Sequence, residues 1–302
     1  MSTTYQHQRR YDLDWLRVIA FGLLIFYHVG MFYVSWGWHV KSVYAGPTAE
    51  PIMLIVNPWR LALLFFISGV AVRFATDKAP ALGRYALSRV MRLGLPILVG
   101  IIFVVAPQSY FELVSKGETQ ASFFAFWLQY LNLEQSFSVI TPTWNHLWYV
   151  AYLFVYILIV TPLTPLLRRW AEGASAQKVF AGLSHPAALL LVPIFPYVFI
   201  DLILSPIYPT THDLVNDWAN HAMRFTIFLY GYFVAKSAVF WSAVVRALKA
   251  AAMIVVFIGF GRAYLRALHW NLYVSLYDVI PVMPVLNILY AWAFIILLLG
   301  LA

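Results

Sequence analysis

Long intervals without Asp, Glu, Lys or Arg constrain this 302-residue chain more than any other feature. A helix needs roughly 20 apolar residues to cross a bilayer core about 30 Å thick. The chain has eight such intervals, at residues 18–40, 51–72, 93–111, 135–167, 179–200, about 219–240, about 243–261 and 279–302. Six are clear, and among them 51–72 contains only Arg60. The two weaker ones, about 219–240 and about 243–261, contain a few basic residues. They predict an all-α fold, a polytopic transmembrane bundle of about eight spans, with residues 1–302 as a single domain.

Composition supports the membrane class and excludes several others. The chain is 63% hydrophobic and 11% charged, against about 45–50% and about 25% in soluble domains. The absence of cysteine excludes disulfide scaffolds, thiolate metal sites and cysteine nucleophiles. The net charge of +8 does not indicate nucleic-acid binding, because the basic residues fall between hydrophobic runs rather than on one solvated face. No metal site is expected either.

The basic residues are distributed asymmetrically between the loops. A cytoplasmic N-terminus places 13 basic residues inside and four outside, and the positive-inside rule favours that orientation. The inside set is Arg9, Arg10, Arg73, Lys78, Arg84, Arg89, Arg92, Arg168, Arg169, Lys178, Lys236, Arg246 and Lys249, and the outside set is Lys41, Lys116, Arg262 and Arg266. The run after Arg17 lacks a small-residue cleavage site, so the first span is expected to be retained in the cytoplasmic (inner) membrane.

Two segments are expected to lie on the membrane surface among its lipids. Residues 121–133 are aromatic but too short to span, and Glu118 and Glu134 bound them, which is typical of an interfacial helix on the outer face. Residues 80–92 form a basic counterpart inside.

Arg17 and His28 stand on one face of the first predicted helix. Eleven residues turn a helix through about 1100°, within roughly 20° of three turns, and rise about 16 Å. Arg17 then lies near the cytoplasmic surface and His28 near the midplane. The two can be an anchor and a hydrogen-bonded packing residue, or an inward cation and a general base at the end of a channel.

Further basic and aromatic residues are candidates for ligand contacts. Arg89 and Arg92 are spaced i, i+3 on a helix at the cytoplasmic end, where two guanidinium groups either bind phosphate or anchor the helix to lipid headgroups. On the outer side a stripe at i, i+3, i+4 and i+7 either binds sugar or is a saturated ion-pair network. It comprises Asp217, Asn220, His221 and Arg224.

Two aromatic-rich positions and four loop histidines complete the candidates. His146 and Trp148 fit an aromatic belt at the interface or a sugar contact. None of the remaining loop histidines is interpreted as catalytic; these are His39, His185, His212 and His269.

Several of these motifs together resemble membrane-bound acyltransferase family 3. They are YDLDWLRVIAFGLLIFYHVGMFY with Arg17 and His28, then Asn57-Pro58-Trp59-Arg60 before LLFFISG (63–69), and Arg89-Val90-Met91-Arg92. The segments WNHLWY (144–149) and THDLVNDWANHA (211–222) resemble its glucan-modifying branch, which the resemblance suggests attaches succinyl groups to periplasmic glucans.

The resemblance implies an acyl-CoA donor in the cytoplasm and an acceptor hydroxyl on an extracytoplasmic glycan, with no permanently bound cofactor. His28 and Arg17 would be catalytic, and Arg60, Arg89 and Arg92 would hold the donor. Other branches carry a carboxylate early in the fourth span, whereas residues 149–159 contain none. The family commonly has about ten spans, so this chain is expected to be either C-terminally truncated or a shorter branch.

Two other functions fit the same residues. Arg and His within spans also suit a proton-coupled transporter or flippase of a glycan or lipid-linked substrate. No paired halves with interrupted helices are evident from the sequence, which argues against a carrier. A non-catalytic assembly subunit would turn over no small molecule at all. Ser68 is an alternative nucleophile, but Ser and Gly in a membrane helix are more typical of close helix packing.

The charge asymmetry yields a test of orientation. We expect a single cysteine at position 116 of this cysteine-free chain to react with an impermeant thiol reagent from the extracytoplasmic side, and one at position 84 from the cytoplasmic side. Labelling of position 116 from the cytoplasmic side alone would reverse the assignment.

Overall fold

The structure is a computed structural model that describes residues 10–132, 137–278 and 282–302. Arg9, Glu134 and the first residues of the predicted last span lie outside the described residues. Within them the fold is helical without a β-strand. The α-helices are α1 (Tyr11–Tyr33), α2 (Glu50–Val56), α3 (Arg60–Lys78), α4 (Leu82–Arg89), α5 (Leu95–Val99), α6 (Ala106–Ser115), α7 (Phe123–Leu131), α8 (Trp148–Glu172), α9 (Ala174–Gly182), α10 (Pro186–Leu191), α11 (Phe195–Phe199), α12 (Trp218–Val234), α13 (Ala238–Leu268), α14 (Trp270–Asp278) and α15 (Val282–Leu301).

Seven helical stretches of the described chain are long and apolar enough to cross a membrane. They are Tyr11–Tyr33, Pro47–Lys78, Leu82–Ser115, Asn145–Glu172, Pro186–Leu204, Ala238–Leu268 and Val282–Leu301. The remaining predicted span, about 219–240, corresponds to α12, which has 17 residues and packs extensively on α3. The prediction of an all-α polytopic bundle of about eight spans is therefore confirmed.

The third span differs from the expectation. Residues 80–92 do not form a separate surface segment, because one continuous helical stretch runs from Leu82 to Ser115. Two π-helical segments, Val90–Gly94 and Gly100–Val105, interrupt its α-helical hydrogen bonding. A π turn bonds residue i to i+5 and leaves carbonyls without their usual partners.

The helix expected over 121–133 is present as α7, packed against the third span. Trp127 donates from its indole nitrogen to the carbonyl of Ile102 over 2.8 Å. Tyr130 donates from its hydroxyl to the carbonyl of Ile101 over 3.0 Å. Both acceptors belong to the second π segment, so α7 supplies partners to backbone groups that the π geometry frees.

The crossing of α3 and α12 depends on two glycines. A Cβ on Gly69 would lie 1.9 Å from the carbonyl oxygen of Phe228, and one on Gly231 would lie 2.0 Å from that of Phe66. Small residues let membrane helices approach closely, since lipid gives helices no hydrophobic reason to associate. Gly69 and Gly231 therefore form the close contact between the two helices.

The second span is interrupted between α2 and α3, around Pro58. Proline has no N–H to donate to the residue four before it, which favours a break in the helix here. Nearby side chains satisfy the freed carbonyls: Arg60 donates to Asn57 O over 2.7 Å, and Trp59 donates from Nε1 to Ile55 O over 2.7 Å. A second donor, the hydroxyl of Tyr290, reaches Ile55 O over 3.0 Å. Such compensation allows a broken helix at membrane depth.

The charged residues form separate clusters that agree with the assigned sides. Asp77 receives Arg168 at 2.6 Å, Arg73 at 3.3 Å and also Lys236, all assigned to the inside. Glu112 pairs with Lys116 at 2.8 Å, and Glu50 pairs with Arg266, both bases being assigned to the outside. Basic residues assigned to opposite sides are not mixed within these clusters.

Gly231→Ala tests the helix crossing. The added methyl would meet a backbone carbonyl, which cannot move as a flexible side chain does, and overpacking costs about 1–3 kcal/mol. We expect a lower midpoint of thermal unfolding in detergent. Gly22→Ala is the matched control, since a Cβ there meets no atom within 4 Å and Ala favours helix. Equal stability of the two variants would contradict the crossing.

Candidate functional site

Two cavities lie in the bundle on either side of one tyrosine. The first, about 420 Å³, contains His28, and we call it the His28 cavity. The second, about 290 Å³, contains Arg17 and Arg89, and we call it the Arg17 cavity. Tyr149 lines both. Arg17 and His28 lie on one face of α1 but about three turns apart, so each lines a different cavity.

His28 is half-buried and faces the first cavity with its ring nitrogens unpaired. Its ring stacks on Trp38 at a centroid distance of 5.5 Å and meets the ring of His146 at 6.0 Å. Within the described chain no residue forms a hydrogen bond to either nitrogen of His28. This is not the hydrogen-bonded packing residue of the alternative interpretation. The imidazole is free to accept a proton from a bound ligand.

His146 is a second imidazole of the same cavity, held by a neighbour. Its Nδ1 lies 3.0 Å from Oε1 of Gln108. An amide oxygen only accepts, so Nδ1 carries the proton and Nε2 is the basic nitrogen. The cavity therefore contains two imidazoles, those of His28 and His146, close enough together for one substrate to contact both.

The loop between α1 and α2 closes one side of the His28 cavity. Lys41 folds back onto the end of α1 and donates to the carbonyls of Met31, over 2.7 Å, and Val34. Burial lowers the pKa of Lys41, and these carbonyls are the unpaired groups of a helix C-terminus. The fold-back brings Trp38 and His39 to the cavity. His39 Nδ1 lies 2.6 Å from Oε2 of Glu112.

The loop before α12 closes the opposite side. Asp217 is fully buried and its carboxylate accepts from the Tyr152 hydroxyl at 2.6 Å, and from the backbone N–H groups of Thr211 and His212 at 3.0 and 3.1 Å. His212 and Leu214 adopt positive φ values of 61° and 71°. Leucine rarely adopts this left-handed conformation, which costs energy, whereas histidine is among the non-glycine residues enriched in it. Asp217 therefore holds a strained loop in place.

His212 reaches the cavity because of this loop. Its ring stacks on Trp148 at 4.2 Å, and its carbonyl accepts from the indole of Trp144 over 2.7 Å. Burial lowers the pKa of His212, and the neighbouring carboxylate of Asp217 opposes this only in part.

The polar stripe at the start of α12 divides into two roles. Asp217 and His221 are saturated, since His221 pairs with the Tyr156 hydroxyl at 2.9 Å and the Leu214 carbonyl at 2.8 Å. These two residues stabilise the loop. Arg224 lines the His28 cavity, with its guanidinium 5.9 Å from the ring of Trp148.

Arg60 also lies in the His28 cavity, apart from Arg17 and Arg89. It is buried, and its Nη1 donates to the side-chain oxygen of Asn57 over 2.5 Å. The guanidinium carbon lies 3.3 Å from the ring centroid of Tyr27, a cation–π contact.

The Arg17 cavity presents two guanidinium groups. The Nε atoms of Arg17 and Arg89 are buried without a hydrogen-bond acceptor among the described residues. Arg92 is exposed and does not line this cavity. The expectation that Arg89 and Arg92 share a face assumed α-helical spacing, and the π segment that starts at Val90 widens the turn between them.

Tyr149 separates the two cavities. It is buried, and its hydroxyl pairs with that of Ser68 at 3.0 Å. Its ring packs edge-on against Phe65 at 4.7 Å and Phe21 at 6.1 Å. We therefore expect a group that moves from Arg17 toward His28 to pass this ring.

Comparisons with known proteins identify the family of this chain. The acyltransferase domain family matches residues 10–302. The chain belongs to this acyltransferase family. It is 25% identical over 242 residues to glucans biosynthesis protein C of Escherichia coli O6:K15:H31 (strain 536 / UPEC), and 25% over 236 residues to that of Shigella dysenteriae serotype 1 (strain Sd197). Each match covers 77% of this chain and 58% of the relative, so the chain spans little more than half of these relatives' length. No solved structure matches.

His39, His212 and Tyr149 are cavity residues to which the sequence analysis gave no role. Distant contacts fold the two histidine loops over the site, since His39 pairs with Glu112 and the carbonyl of His212 accepts from the indole of Trp144. No periodic pattern marks such positions. The only local signal is the density of Trp and His around 36–39 and 144–148.

Tyr149→Ala is expected to join the two cavities. A cysteine replacing Met31, which lines the His28 cavity, would then react with a small impermeant thiol reagent supplied from the Arg17 side. Tyr149→Phe keeps the ring and should keep the cysteine protected. Phe154→Ala on the same helix is the control, since Phe154 lines neither cavity. Equal labelling in all backgrounds would show that Tyr149 is not the barrier.

Proposed function

We propose that the chain transfers an acyl group from cytoplasmic acyl-CoA to a hydroxyl of an extracytoplasmic glycan, from a multi-pass position in the inner membrane with its N-terminus inside. The observation that carries this is the pair of cavities on either side of Tyr149. One offers two guanidinium groups whose Nε atoms have no acceptor among the described residues, although Nη2 of Arg17 also lies 3.8 Å from Asp14, and the other offers an imidazole without a hydrogen bond in that part of the chain. Membership of the acyltransferase family supports the class of reaction.

The donor is expected in the Arg17 cavity. A guanidinium group binds phosphate through a planar fork of donors, and charge-assisted hydrogen bonds of this kind are strong. Arg17 and Arg89 each have a buried Nε available for such a ligand. The acyl thioester would extend past Tyr149 toward His28, while the nucleotide part remains at the cytoplasmic end. Arg92 would contact the donor only outside the cavity.

The chemical step needs no covalent protein intermediate. The acceptor hydroxyl attacks the thioester carbonyl, His28 takes the hydroxyl proton as the new C–O bond forms, and the C–S bond breaks. The imidazolium then returns the proton to the CoA thiolate, which leaves as the thiol. His146, with Nε2 unprotonated, is the alternative base.

The acceptor and acyl group are inferred from the cavity lining and the relatives. Trp38, Trp144 and Trp148 line the His28 cavity, and indole faces stack well on sugar rings. The name of the relatives supports a glucan as acceptor. The guanidinium groups of Arg60 and Arg224 in the same cavity would pair with the terminal carboxylate of a succinyl group.

A proton-coupled carrier or flippase remains the second candidate, because the second span is interrupted beside the site. Transporters commonly bind substrate where a membrane helix is broken near the midplane. Incubating purified protein with labelled acyl-CoA and a neutral glucan separates the two, since a carrier forms no ester.

Arg89→Ala is expected to weaken donor binding more than Arg92→Ala, because Arg89 alone of the two lines the cavity. A charge-assisted contact contributes roughly 1.5–3 kcal/mol, about 10- to 150-fold in affinity. Lys at position 89 should rescue only in part, since it lacks the fork. The measurement is CoA binding to each purified variant. An unchanged dissociation constant for Arg89→Ala would leave this residue as a lipid anchor.

His28→Ala is expected to remain folded, bind CoA, and transfer acyl groups about 10²- to 10⁴-fold more slowly, as removal of a positioned general base requires. Asn at this position should fail as well, because it cannot accept the proton. His146→Ala should reduce the rate less and raise the apparent acceptor KM. Steady-state transfer is measured together with thermal stability. If His146→Ala gives the larger fall in kcat, the base is His146; wild-type turnover in both variants would remove the enzyme mechanism.

A further inference from the structure

A third cavity of about 360 Å³ lies beside the His28 cavity, and we call it the Arg262 cavity. Asn57 and Arg224 line both cavities and so form the wall between them. The other lining residues come from α2, α3, α11 to α15 and the π turn after α11. The proposed reaction makes no use of this space.

Arg262 is the main polar group of this cavity. It is only 4% exposed, and its Nε has no acceptor among the described residues. Its guanidinium carbon lies 5.2 Å from the ring centroid of Tyr290, close to the limit for a cation–π contact. A guanidinium buried without an anion or a full set of acceptors is costly. Arg262 therefore lacks the partner that its burial calls for.

Two other polar groups define the charge of the cavity. The Oδ1 atom of Asn287 is also buried and unpaired within the described residues. Asp201 is the one carboxylate among the described lining residues, and no ion pair joins it to Arg224 or Arg262 in that part of the chain. Two guanidinium groups against one carboxylate leave the cavity positive.

The remaining lining is mostly apolar. It includes Leu54, Ala62, Met223, Ile227, Ile288 and Ile295. The volume falls within the usual 300–1,000 Å³ of ligand cavities. An inorganic anion would use the guanidinium groups but leave this apolar surface unfilled, whereas an anion attached to a hydrocarbon chain would fill both parts.

We propose that the Arg262 cavity binds the headgroup of an anionic membrane phospholipid, that is, one with a net negative charge. Arg262 contacts the phosphate, Arg224 in the shared wall adds positive charge, and the first part of an acyl chain lies along the apolar wall. Basic pockets between membrane helices on the cytoplasmic side bind phospholipid headgroups, and the Arg262 cavity offers the same chemistry on the other side, because the guanidinium fork matches phosphate oxygens. The inference does not depend on the proposed acyl transfer.

The test is a titration of the delipidated full chain in neutral detergent with dioctanoyl-phosphatidylglycerol, followed by thermal unfolding and by the dissociation constant. Dioctanoyl-phosphatidylcholine and inorganic phosphate are titrated in parallel. We expect saturable stabilisation by the anionic lipid and at least tenfold weaker binding of the other two. Equal affinity for phosphatidylcholine, or equal stabilisation by phosphate alone, would overturn the proposal.

Arg262→Gln should weaken binding of the anionic lipid about 10- to 150-fold. Arg246→Gln is the matched control, because Arg246 is an exposed arginine of the same helix and should leave the affinity unchanged. Arg262→Lys keeps the positive charge and removes the planar fork, so it should weaken binding by a smaller factor and provides a test should Arg262→Gln fail to fold. Unchanged affinity in a folded Arg262→Gln or Arg262→Lys protein would overturn the proposal.

Discussion

The hydrogen bonds around Asn57 determine where this bundle can hold a site. An interrupted membrane helix needs a partner for every freed carbonyl, since lipid supplies none. Arg60 donates to both the backbone and side-chain oxygens of Asn57, and Tyr27 donates to the side-chain oxygen over 3.0 Å. The same bonds fix a guanidinium group at the wall of the His28 cavity. The stability of the break and the polarity of the cavity therefore have one cause.

Two loops complete the cavity by attaching to helix ends. Lys41 donates to carbonyls at the end of α1, and the carboxylate of Asp217 accepts from the N–H groups of Thr211 and His212. Each attachment satisfies polar groups that would otherwise be unpaired. In the loop before α12, the bonds to Asp217 also offset the backbone strain of the positive-φ positions. Trp38, His39 and His212 reach the site as a result. Asp217 also bonds Tyr152 of α8, so the acidic group near the fourth span comes here from another helix.

The parts of the site that follow from local periodicity were predictable, and the rest depend on distant contacts. The spacing of Arg17 and His28 specified one face of α1, and charge-free length specified the bundle. The pairing of Arg89 with Arg92 failed as a shared face because π geometry after Arg89 is not legible in residue spacing. His39 was missed because its partner, Glu112, lies more than 70 residues away in the sequence. His212 was missed because a strained turn, bonded to Asp217, holds it at the site. Residues 80–92 were predicted to be a surface segment because of their charges, and this was wrong because their helix continues into the third span.

The barrier at Tyr149 bears on how such a site would handle a reactive thioester. A continuous aqueous passage would expose the thioester to water and the membrane to proton leakage, whereas a closed site excludes both. Tyr149 is fixed by a hydroxyl pair with Ser68 and by the rings of Phe21 and Phe65, so it closes the passage with one side chain. The bond to Ser68 is between two neutral hydroxyls, the weaker kind of hydrogen bond, and a rotation of one ring is a small motion compared with a helix shift. In the proposed reaction the acyl group replaces the ring in the gap, so the passage opens only while a donor fills it.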